Sequence, residues 1–127
     1  MGRPSLKYLL DSVIVIDHLN GIDAATEFLR DHGDDSAISI ITWAEVLAGC
    51  DDAQEASVRS LLSHFSALPL TLEVADLAAS LRKSKRIKLP DAFQAAVAIE
   101  HDLILVTRNT RDFQSGGQVQ VLIPYRL

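Results

Sequence analysis

The chain has a single cysteine, Cys50, so an internal disulfide and a cysteine-built zinc cluster are both excluded, and a reducing compartment suits it. Aromatic residues are scarce. The one tryptophan, Trp43, is read as a core or interface residue rather than a platform for stacked bases. His18, His32, His64 and His101 show neither the HExxH spacing nor any other metal-ligand spacing, and no P-loop or GxGxxG segment is present. No long apolar run is present either. Asp11 and Asp17 interrupt the stretch that follows Arg3 and Lys7, no small-residue cleavage site follows it, and Leu6 stands where a myristoylation signal needs a hydroxyl. The expectation is a soluble, untargeted, cytoplasmic protein without a membrane segment.

Positive charge is also in deficit. A net charge of −5 is the wrong sign for general nucleic-acid binding, so any such binding depends on a local patch. One patch exists: Arg82, Lys83, Lys85, Arg86 and Lys88 concentrate a large share of the twelve basic residues in one short segment.

At 127 residues, nearly half of them apolar, the sequence suits one domain, 1–127, with a real core. Strands are expected at Lys7 to Leu10, Ser36 to Ile41, Ala67 to Leu70, Leu103 to Thr107 and Val119 to Ile123. Helical periodicity fills the intervals: Val13 to Leu19, Ile22 to His32, Thr42 to Gly49, Asp52 to Phe65, Leu72 to Arg86, and a helix opened by Pro90. Gly116-Gly117 is expected to break the chain before the last strand. This alternation makes the fold class α/β, a mainly parallel sheet covered by helices on both faces, with ligands at the carboxyl ends of the strands.

Four acids fall where such a site would form: Asp11 at the end of the first strand, Glu45 after the second, Asp91 at a helix start and Asp112 after the fourth. Crowded carboxylates raise one another's pKa unless a cation compensates them, and carboxylates without cysteine or paired histidine suit Mg²⁺ or Mn²⁺ better than zinc. Each acid also has a plain structural role open to it. Asp11 can cap a helix, Asp91 can favour a helix dipole, and Thr42-Trp43-Ala44-Glu45 reads as a capping box.

Local sequence shifts the balance. Tyr8-Leu-Leu-Asp-Ser-Val-Ile-Val-Ile-Asp17, Ile40-Ile-Thr-Trp-Ala-Glu-Val-Leu-Ala-Gly49, and Leu89-Pro-Asp-Ala-Phe-Gln-Ala-Ala-Val-Ala98 with Leu103-Ile-Leu-Val-Thr-Arg-Asn-Thr-Arg-Asp-Phe113 resemble, in order, the motif blocks of PIN-domain ribonucleases, and within them the VapC toxins of toxin–antitoxin pairs. The resemblance implies a three-layer α/β/α sandwich and an endoribonuclease in which Asp11, Glu45 and Asp91 hold one or two Mg²⁺ or Mn²⁺ ions, with Ser12 orienting the first acid or a ligating water. It implies an RNA substrate such as tRNA or rRNA, an antitoxin partner and a homodimer. Two departures stand out: Val13 replaces an asparagine common in relatives, and the fourth acid falls either at Asp112, which is favoured, or at the place of Asn109. Lys83, Lys85 and Arg86, with Arg108 and Arg111, are candidate contacts to RNA phosphates; a solvated helix end is the plain reading of the basic run, and pairing with Asp112 is the other role open to the two arginines.

Two further classes remain open: a catalytically degenerate PIN-like module that binds RNA or protein, and, more distantly, a phospho-acceptor receiver domain. The latter expects a lysine after a late strand, where this chain has Arg108. Replacing Lys83, Lys85 and Arg86 together with Gln is expected to weaken RNA binding and to flatten the log–log salt slope by roughly one unit for each phosphate no longer neutralised. A salt titration that gives an unchanged slope returns the run to a solvated helix end.

Overall fold

The period of two along each strand sorts the apolar residues into two cores. In the computed structural model, which describes residues 5–109, 111, 113 and 118–127, five strands pair in parallel: β1 (Tyr8–Leu10), β2 (Ser36–Ser39), β3 (Ser66–Leu68), β4 (Ile104–Val106) and β5 (Val121–Leu122). Leu9, Ala37 and Leu105 enter one core with Val74, Ala78 and Leu81 of α5 (Leu72–Lys85) and the alanines of α6 (Leu89–Glu100). Their neighbours Tyr8, Leu10, Ile38 and Val106 enter the other. There they meet Ile14 and Val15 of α1 (Ser12–Leu19), Val46 of α3 (Ile40–Gly49), and Val58 and Leu62 of α4 (Glu55–Leu62), with Phe28 of α2 (Asp23–His32) at the margin. The result is the expected three-layer sandwich. No helix among the described residues is long and apolar enough to cross a membrane.

The strand order is β3-β2-β1-β4-β5. The connection from β1 leads to β2 on one side and that from β4 to β5 on the other, so the loops at their carboxyl ends part and leave a crevice. Asp11 sits at that parting, its N–H extending the ladder to the Val106 carbonyl at 2.9 Å. Receiver-type domains have the order 2-1-3-4-5, so the topology removes that reading.

Several boundaries differ from the sequence expectation. The β-branched run at Ile38 to Ile41 reads as continuous strand, yet β2 stops at Ser39 and α3 starts at Ile40, not Thr42. The Ser39 hydroxyl accepts from the Thr42 N–H at 3.3 Å and so caps the helix two residues earlier. Thr42 therefore lies inside α3, its hydroxyl donating to the Leu10 carbonyl at 3.2 Å, and the Thr42–Glu45 capping box does not form. The helix α4 is shorter than Asp52 to Phe65, because Asp51 and Gln54 each accept from the other's N–H and close a turn before it. The third strand begins one residue early and ends at Leu68, and the last covers only Val121–Leu122; the Gly116-Gly117 break lies outside the described residues.

The layers are tied at one buried point. Gln94, 1% exposed in the middle of α6, accepts from the Ser39 hydroxyl at 2.6 Å and donates to the Thr42 hydroxyl at 2.7 Å and to Asp11 Oδ1 at 3.3 Å. One amide thus joins α6 to the ends of β1 and β2. Gln94→Leu keeps most of the volume but strips partners from buried polar groups, at an expected cost of about 1–3 kcal/mol. Urea unfolding measures it; an unchanged midpoint would mean that Ser39 and Thr42 do not depend on Gln94.

Candidate active site

Asp11 is held from three sides. As N-cap of α1 its Oδ1 accepts from the Ser12 N–H at 2.9 Å, Gln94 reaches the same oxygen, and Oδ2 accepts from the Thr107 hydroxyl at 2.7 Å. The carboxylate is buried and these donors are all neutral. Burial therefore pushes its pKa above the ordinary value, against the three hydrogen bonds that favour the charged form. Capping and site roles coincide in this residue.

Glu45 projects from the middle of α3, exposed, and its Oε1 accepts from the Ser12 hydroxyl at 2.8 Å. The Ser12 hydroxyl thus orients Glu45, while only its backbone N–H serves Asp11. Asp91 lies half-buried in the first turn of α6, one residue after Pro90. Asp11, Ser12, Val13, Glu45 and Asp91 line one open cleft of about 640 Å³. Among the described residues, no three histidine, cysteine, aspartate or glutamate side chains are gathered closely enough to be a ready-made metal ligand set. The donor set nevertheless fits a hard divalent cation. It is all oxygen, and its buried member has only neutral donors to offset its charge.

Cations line the same cleft: Lys88, Arg108 and Arg111, with Asn109 beside them. The Asn109 N–H donates to the Thr107 hydroxyl at 3.0 Å, so Thr107 is fixed from both sides. Lys83, Lys85 and Arg86 are exposed around the end of α5 and lie outside the cleft lining. The turn there is tight: Arg86 takes a left-handed conformation at φ 58° and the Arg82 guanidinium donates to the Ile87 carbonyl. Lys88 emerges from that turn one helical turn's reach from Asp91, and is the member of the basic run that joins the acids. The candidate fourth acid, Asp112, lies outside the described residues.

Arg108 does have an acidic partner, and it is Asp17. Its Nε and Nη2 donate to the two Asp17 oxygens at 2.6 and 2.9 Å, and the Tyr125 hydroxyl donates to Oδ2 at 2.7 Å. The Arg108 hydrogen bonds hold the Asp17 carboxyl below its ordinary pKa, whereas burial pushes the Tyr125 phenol well up. Nothing local in the sequence singles out Gln94, Thr107, Asp17 or Tyr125 for these roles. They come from contacts between distant segments, for which a single sequence carries no signal.

The two aspartates have opposite linkage. The folded chain lowers the Asp17 pKa, so its stabilisation is present above the unfolded value near 3.8 and is lost as pH falls through the folded one. Asp11 holds its proton more tightly when folded, so its contribution is complete below that value and is lost as pH rises through the raised one. Carboxyl-carbon NMR of the metal-free protein should show Asp11 titrating above the ordinary aspartate range and Asp17 below it; the reverse order would contradict the burial and pairing described.

A PIN domain model matches residues 8–116. The chain is 36% identical over 119 residues to ribonuclease VapC10 of Mycobacterium tuberculosis, covering 88% of this chain and 90% of the relative. It is 36% identical over 123 residues to ribonuclease VapC19 of the same organism, covering 88% and 96%. A toxin–antitoxin complex from Klebsiella pneumoniae contains a chain that superposes with a TM-score of 0.88 at 37% identity, over 95% of this chain and all of that one. The FitAcB structure from Neisseria gonorrhoeae superposes at 0.79 with 27% identity, over 94% and 99%.

Proposed function

The chain belongs to the PIN-domain family, and from that premise we propose that it is a metal-dependent endoribonuclease acting as the toxin of a toxin–antitoxin pair. The observation that carries the reading is the meeting of Asp11, Glu45 and Asp91, from three separate elements, in one cleft with Lys88, Arg108 and Arg111. A cleft whose carboxylates are matched by cations suits a polyanion whose phosphate must approach those carboxylates.

Asp11, Glu45 and Asp91 would hold Mg²⁺ or Mn²⁺, with Asp112 or Asn109 completing the set. The ion, when bound, supplies Lewis acidity at the phosphate and lowers the pKa of an attacking water. The protein's own residues position and compensate. Thr107 and Gln94 fix the rotamer of Asp11, and Ser12 fixes Glu45. Lys88, Arg108 and Arg111, which line the same cleft, would bind phosphate and offset charge that develops on its oxygens. No side-chain nucleophile is needed. The reading extends to one PIN-like domain over 1–127, a cytoplasmic location, a tRNA or rRNA target, homodimerisation and an antitoxin that covers the cleft.

Asp91→Asn and Glu45→Gln separate this reading from a structural role for the same acids. Asn and Gln keep the shape and the polarity, so both variants should fold, with metal-free melting temperatures close to that of wild type. RNA cleavage should be abolished, and stabilisation by added Mg²⁺ should shrink. Melting curves with and without Mg²⁺, beside a cleavage assay, provide the check. Variants that cleave and gain Mg²⁺ stabilisation like wild type would remove the chemical basis of the assignment.

A further inference from the structure

Among the described residues, Arg108 is the cleft cation whose side chain is held by a buried acid. Asp17 is almost fully buried and Tyr125 half-buried, and neither lines the cleft, whereas Arg108 does. The three come from the second turn of α1, the loop after β4 and the segment after β5. Asp17, itself outside the cleft lining, accepts from Nε and Nη2 of Arg108, two of the five guanidinium N–H donors. The Tyr125 hydroxyl then fixes the carboxylate itself.

We propose that Asp17 and Tyr125 are positioning residues of the active cleft, which hold Arg108 from behind so that its outer guanidinium edge binds a non-bridging oxygen of the RNA phosphate. This rests on the nuclease reading above. Arginine is suited to the task because its planar fork presents two edges, one for the anchoring carboxylate and one for a phosphate, while lysine is a point charge with neither. A buried ion pair is weak evidence for added stability, since desolvation offsets attraction; what this one does provide is a fixed orientation. An arginine fixed before substrate arrives has little side-chain entropy left to lose on binding, so its contribution falls on the reacting phosphate rather than on loose association.

Charge and geometry give opposite signs for one variant, which makes the proposal testable. Asp17→Asn removes a negative charge beside the cleft. If the pair acts only through its field, RNA should bind more tightly, with lower KM and unchanged kcat. If it positions Arg108, kcat should fall roughly tenfold or more, because one misplaced electrostatic donor has an effect of that order. Tyr125→Phe alters no charge and should lower kcat in the same direction. Arg108→Lys keeps the charge and loses the fork, and should be about as impaired as Arg108→Gln.

The experiment measures kcat and KM for wild type and these variants on end-labelled tRNA and rRNA with Mg²⁺, below each variant's own melting temperature. Depressed kcat in Asp17→Asn and Tyr125→Phe, with Arg108→Lys no better than Arg108→Gln, supports the proposal. Full kcat in Asp17→Asn and Tyr125→Phe with only a lowered melting temperature makes the triad a strap for the chain end and overturns it. Wild-type activity in Arg108→Lys overturns it as well. In those outcomes the nuclease reading stands, whereas a wild-type chain that cleaves no RNA overturns that reading and this proposal with it.

Discussion

Burying a carboxylate removes hydration that the protein must replace, and the placement of Asp11 at the end of the central strand sets this requirement for the whole molecule. Three donors from three parts of the chain meet it: the Ser12 N–H, the Gln94 amide and the Thr107 hydroxyl. Gln94 in turn needs partners for its own buried amide and finds them in Ser39 and Thr42. Thr42 reaches back to the Leu10 carbonyl, one residue before Asp11. The network therefore closes on itself. No buried side-chain nitrogen or oxygen among the described residues lacks a partner. A closed network of this kind fixes one arrangement of the layers, since any slip of α6 against the sheet would strand several polar groups together.

That arrangement is also what brings acids and cations together in one cleft. Asp11 is fixed deep, Glu45 stands exposed on α3, and Asp91 opens α6, so the acids span a range of burial. The cations come from the turn before α6 and the loop after β4. Opposite charges are distributed over separate elements of a rigid scaffold, and the likeness to PIN-domain relatives over most of the chain extends to the folded backbone.

Much of this is legible in the sequence. The α/β class, the two-sided sheet and the clustering of Asp11, Glu45 and Asp91 follow from periodicity and from the motif blocks, because each is a local pattern repeated in order. The onset of α3 is not legible in this way: Ile40 and Ile41 favour strand by type, while the Ser39 cap and the burial of Thr42 decide the issue through space. Gln94 stands in an alanine-rich helix, where a polar residue looks solvent-facing until the helix is known to be buried nearly all round. Proximity in sequence offers Arg108 the partner Asp112. Asp17, ninety-one positions away, is a partner that no local pattern offers, while Asp112 lies outside the described residues.

The order in which the chain leaves the ribosome adds a temporal side to the sheet topology. The central strand β1 is made well before its neighbour β4, since Tyr8 pairs with Ile104, far along the chain. Two of the three groups that hold Asp11, Gln94 and Thr107, also belong to the last third of the sequence. A nascent chain with only β1 to β3 outside the tunnel has an open sheet edge and an unsupported carboxylate, and such long-range parallel pairing forms late. The cleft is thus assembled only after β4 and Thr107 have been made. A fragment that stops before β4 would carry Asp11, Glu45 and Asp91 but neither the strand that pairs beside β1 nor Thr107, and so would hold the acids without the fold that positions them.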